Sequence, residues 1–100
     1  MRDRESDDAR RDRILQSVAT VIEQIQREEK GLADRYDKAS ASAGMALQVA
    51  EGEGSSSGVD LRLDELERSV TYCAKRIAEL KAQREFYSRL SDTVRDHGAV

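Results

Sequence analysis

The sequence predicts an all-α protein: an antiparallel hairpin of two long, coiled-coil-like helices that dimerises into a four-helix bundle. Three observations point to this fold class. The 100-residue chain contains no proline. Apolar residues recur at alternating steps of three and four along both halves of the chain, which is the heptad pattern of coiled coils. Near the midpoint, the Gly/Ser tract 52–58 interrupts the pattern, because glycine and serine continue a helix poorly.

The predicted organisation follows from the position of that tract. The expected parts are a flexible N-terminus (1–6), a helix (7–50), a Gly/Ser loop (52–58), a second helix (60–96) and a flexible C-terminus (98–100), with 7–97 forming a single helical-hairpin domain. Ser6 is expected to cap the first helix, and Ser57 or Asp60 the second. The loop is too short for a parallel return along helices of this length, so the helices must be antiparallel.

The heptad seam supplies the expected core. Its members in the first helix are Leu15, Val18, Ile22, Ile25, Leu32 and Tyr36, and those in the second are Leu63, Leu66, Val70, Cys73, Ile77, Leu80, Tyr87 and Val94. Folding the chain about its loop sets the register to within one turn. This register places Ala39 level with Cys73 and Ile25 level with Tyr87.

Two charged residues break the apolar seam. Glu29 lies in the first helix and Arg84 in the second, and the register places them at about the same level. We therefore predict an ion pair across the hairpin that fixes the register and adds little net stability. The alternative is that both side chains extend separately to solvent.

A hairpin alone leaves much of the surface of each helix exposed to solvent, and small elongated domains bury little surface. Tyr72 and Phe86 lie on one face of the second helix, away from the seam, and are the candidate partner surface. The economical solution is a homodimer of hairpins. A complex with another helical protein and a monomer are the alternatives.

Charge and composition disfavour several classes of protein. The net charge is −3, and 37% of the residues are charged with both signs interleaved, so binding to nucleic acid is not expected. No segment resembles a membrane span or an apolar leader, which predicts a cytoplasmic protein without a membrane partner. A protein that a dedicated export system secretes without a leader is the alternative.

The sequence contains no recognisable catalytic, metal or cofactor motif, and no enzyme activity is expected. His97 suits a helix C-terminus without a further role. Cys73 occupies a seam position, where a thiol acts as a small apolar side chain; a redox role or an intermolecular disulfide is the alternative. The Gly/Ser tract lacks the Gly-Lys-Ser/Thr ending of a phosphate-binding loop.

The function that these patterns favour is a non-enzymatic helical interaction protein. It would be a small structural, adaptor or chaperone-like module that associates with itself or with a helical partner. The alternative is a helical-bundle regulator that binds nucleic acid. That function would require a basic surface on one side of the bundle.

Overall fold

A computed structural model describes residues 2–54 and 56–97 of the chain. Two helices, α1 (Arg2–Glu53) and α2 (Ser57–His97), account for almost all of them and pack against each other as a hairpin. No strand occurs within these residues. The predicted all-α hairpin is therefore confirmed. Met1 and the predicted flexible segment 98–100 lie outside the described residues.

The helix α1 begins at Arg2, earlier than the predicted start at residue 7, so Ser6 lies inside the helix and does not cap it. Acidic side chains occupy the first turn, where they interact favourably with the helix dipole. Two ion pairs between side chains three residues apart follow: Asp7 with Arg10 at 3.0 Å and Asp8 with Arg11 at 2.8 Å. The acidic first turn favours a helix in the segment that was expected to be flexible, and the two ion pairs stabilise the turns that follow it.

The turn between the helices is tighter than the predicted loop 52–58. Gly54 has a φ of +86° and donates its backbone N–H to the carbonyl oxygen of Ala50 at 3.0 Å, which closes α1 in a left-handed glycine cap. On the other side, the Ser56 Oγ accepts a hydrogen bond from the backbone N–H of Val59 at 3.2 Å. Ser56, rather than Ser57 or Asp60, is thus the N-cap of α2.

Two glycines in this region should respond oppositely to substitution by alanine. Gly54→Ala places a side chain at a positive φ and is expected to destabilise the fold by about 1 kcal/mol. Gly52→Ala lies in the last turns of α1, where an added Cβ meets nothing within 4 Å, and should stabilise it by up to about 1 kcal/mol. Thermal or urea unfolding measures both. Equal effects of the two changes would contradict the assigned cap.

The chain divides into two compact units, of which the first comprises Met1–Glu28 with Leu80–Val100 and the second Glu29–Glu79. In the first unit the apolar core contains Val18, Ile25 and Leu80. The side chain of Leu80 is only 1% exposed. Leu15, Ile22, Tyr87 and Val94 of the predicted seam are half-buried.

The second unit has its own buried line of apolar side chains. It contains Leu32 and Ala39 from α1 and Leu66 and Cys73 from α2, with Cys73 fully covered. Leu63, Val70 and Ile77 are half-buried. On each helix the best-covered residues recur once per heptad, and the other seam positions are only partly covered. A single facing helix covers a narrow strip, which explains this gradation.

Tyr36 departs from the expected core, since it is 37% exposed. Tyr36 occupies the seam position that is less covered in every heptad of α1, whereas Leu32 occupies the well-covered one. In the same unit the Arg35 guanidinium lies 5.9 Å from the centre of the Tyr72 ring.

Candidate interaction surfaces

The two aromatic residues expected on a partner surface are both exposed. In the first unit, Phe86 is 53% exposed and meets the neighbouring Tyr87 edge to face, with ring centres 5.3 Å apart. In the second unit, Tyr72 is 54% exposed and carries the Arg35 guanidinium over its ring. Each aromatic ring therefore belongs to the surface of its own unit and has a different immediate neighbour.

A groove of about 760 Å³ crosses the first unit between the beginning of α1 and the end of α2. Its lining residues are Arg4, Asp7, Asp8, Arg10, Arg11, Ile14, Thr93, Val94 and His97. Both carboxylates pair with arginines of the next turn, and His97 is an exposed lining residue. The lining therefore carries three arginines against two carboxylates, and Ile14 and Val94 are its large apolar residues.

The second unit carries a smaller groove of about 310 Å³ with a polar lining. It is lined by Arg35, Lys38, Ala39, Ser42, Arg62, Glu65, Leu66 and Ser69. Arg62 pairs with Glu65 at 3.5 Å, and both side chains are well exposed. This groove presents three basic side chains and one carboxylate, which makes it more basic than the chain as a whole.

Sequence reasoning missed a group of exposed apolar residues near the turn. Met45, Leu47 and Val49 of α1 and Leu61 of α2 are all exposed, with Met45 the most open at 68%. The alternation of Met45, Leu47 and Val49 could have revealed them. Apolar residues at every second position of a helix point in different directions and cannot share one buried side.

The residues that could carry chemistry do not converge. Cys73 is a free thiol, fully buried among the core side chains of the second unit. His97 lies in the other unit, at the end of α2. Among residues 2–54 and 56–97, no cluster of three or more His, Cys, Asp or Glu side chains could hold a metal ion.

The two residues of the predicted register pair are both half-buried. Glu29 belongs to the second unit and Arg84 to the first. The ion pair between them stays a prediction. A double-mutant cycle would measure the coupling directly.

Neither described helix contains an apolar stretch sufficient to cross a membrane. Comparisons of the chain with family models, curated proteins and solved structures found no match. The surfaces themselves are therefore the basis for proposing a function.

Proposed function

We propose that this chain is a cytoplasmic, non-enzymatic helical interaction protein. It acts as a structural, adaptor or chaperone-like module, either by associating with itself or by binding a helical partner. One observation carries the proposal. In the described part of the chain, more large apolar side chains are exposed than buried.

The exposed side chains matter because of where they lie. Single apolar residues on a surface are ordinary, but grouped ones are typical of interaction sites. Met45 and Val49 lie one turn apart on α1, and Phe86 and Leu90 lie one turn apart on α2. A hairpin with a narrow core gains stability when a partner covers such groups, since apolar burial contributes about 25 cal/mol per Å².

Photo-crosslinking in the native host tests this function. A photoreactive amino acid at Phe86 is expected to capture a second copy or a helical segment of another protein. The matched control carries the same group at Ser88, an exposed residue two positions away on α2. Crosslinking at Phe86 that is no greater than at Ser88, together with the same result at Tyr72 and Met45, would overturn the proposal.

The alternative function, a regulator that binds nucleic acid, is favoured by one feature, the basic lining of the second unit's groove. Arg35, Lys38 and Arg62 could contact phosphates there. Binding to duplex DNA should then weaken steeply with salt and fall in Lys38→Gln, while Lys81→Gln, outside the groove, leaves it unchanged. An absence of binding at low salt would exclude this alternative.

A further inference from the structure

We propose that the first unit pairs with a second copy of the chain through one side of the hairpin. We define this side, the uncharged face, by Ile14 and Val21 of α1 and Phe86 and Leu90 of α2. The inference rests on the proposed function and deepens it, because it names both the surface and the occupant. Three of these side chains are exposed, and Val21 is half-buried.

The four residues lie on the same side of the unit. Ile14 and Val21 are one heptad apart and flank the buried Val18, while Phe86 and Leu90 are one turn apart. The groove of the first unit indicates the register between its two helices, because Ile14 of α1 lines it together with Thr93 and Val94 of α2. This setting places Leu90 within about one turn of Ile14 and Val18, and Phe86 within about one turn of Val21.

The polar residues within this face carry no charge. They are Ser17 and Gln24 on α1 and Gln83 and Thr93 on α2. The chain as a whole has 37% charged residues, so a face of this length without any charged residue stands out from the rest of the surface. The opposite side of the same unit carries Glu23, Lys81, Glu85 and Arg95. Depletion of charge at the centre is the compositional mark of a protein interface.

A second copy is the occupant that this chemistry favours. The face offers no charge to attract an acidic or basic partner, and it can meet its own equivalent without repulsion between like charges. In the lining of the groove, Asp7 and Asp8 are already paired with Arg10 and Arg11. A two-fold axis that sets the face against itself closes the assembly at two copies.

An antiparallel two-fold arrangement centred on this face pairs its residues well. Ile14 of one copy comes near Val21 of the other, and Leu90 comes near its own equivalent. Phe86 comes near Thr93, so a large side chain meets a small one. Each α1 then packs on the other α1 and each α2 on the other α2, which gives an antiparallel four-helix bundle over the first unit.

The size of the face sets the strength of the expected dimer. The face extends for about eleven residues, or roughly 17 Å, along each helix. Two helices lie side by side in it, and each is about 10 Å wide. Its footprint is therefore roughly 350 Å² per copy, below the ~800 Å² per partner of a standard stable interface. We therefore expect a weak, reversible dimer of the kind that small, transient interfaces form.

Sedimentation equilibrium of the full chain, from low to high micromolar concentration, tests the proposal. The wild-type chain should move from monomer to dimer over this range. Leu90→Glu places two carboxylates at the two-fold axis and should weaken dimerisation at least about tenfold. Leu61→Glu, at a more exposed leucine of the second unit, should leave it unchanged. Mixing Leu90→Glu with Leu90→Lys should restore dimers by opposite charge.

Each outcome of these measurements either supports or overturns the proposed interface. A wild-type chain that stays monomeric overturns the second-copy proposal, whereas crosslinking of Phe86 to another protein would leave the proposed function standing. A dimer that Leu90→Glu does not weaken overturns this face as the interface. Circular dichroism checks that the variants fold, and Phe86→Ser repeats the test at a second exposed side chain if Leu90→Glu unfolds.

Discussion

Replacing Leu80 by alanine is expected to lower the free energy of unfolding by about 2–5 kcal/mol. Leu80 is only 1% exposed, among the largest of the fully buried side chains. The substitution removes apolar contacts and leaves a cavity that a helix pair can close only in part. Because domains of this kind are stable by about 5–15 kcal/mol, the loss is a large fraction of the total.

Urea unfolding followed by circular dichroism measures the effect of Leu80→Ala. Leu61→Ala is the matched control, because the same atoms are removed from a side chain that is 62% exposed. Its effect should stay within about 0.5 kcal/mol. Both variants must be compared at one protein concentration, since the proposed self-association would add to the apparent stability. Equal losses in the two variants would contradict the buried position of Leu80.

Replacing Cys73 by aspartate should disrupt the second unit more severely. The thiol is completely covered, so the new carboxylate would be buried among apolar side chains. A buried charge without a partner costs about 3–5 kcal/mol or more. We expect Cys73→Asp to lose most of its helical circular dichroism at room temperature at neutral pH.

Ala74→Asp provides the control for Cys73→Asp, because it introduces the same group one residue along the chain at an exposed position. It should remain folded with nearly unchanged stability. A thiol reagent gives an independent readout on the wild-type chain, where Cys73 should react only as the protein unfolds. Rapid modification of Cys73 in the folded protein would show that the thiol is accessible and would contradict its assigned burial.

The hairpin could be predicted from the sequence because two long-range patterns agreed with one local interruption. The heptad spacing of Val18, Ile25 and Leu32 persists over many turns, which indicates a long helix packed along one stripe, and the Gly/Ser interruption then indicates the hairpin. The ends of the helices were harder to predict from the sequence than the helices themselves. Which serine caps α2 depends on one hydrogen bond from the Val59 N–H to the Ser56 Oγ, and several neighbouring serines could have made it.

The candidate surfaces were predictable only in part. Phe86 and Tyr72 stood out because they lie off the seam, and both are exposed. Tyr36 was placed in the core by its spacing alone, and the pattern does not show which of the two seam positions in each heptad the facing helix covers better. The groove linings depend on the register between α1 and α2. A flexible loop does not fix this register to better than one helical turn, so the linings could not be predicted.

The once-per-heptad line of buried side chains has an evolutionary consequence. Because each heptad repeats the same packing unit, matched seven-residue deletions or duplications in both helices would preserve which side chains face inward. An unmatched change of one residue would instead rotate the remainder of that helix by about 100 degrees and turn Leu66 or Leu80 outward. Insertions or deletions of whole repeats in both helices should therefore be tolerated far better than a single-residue insertion within either helix.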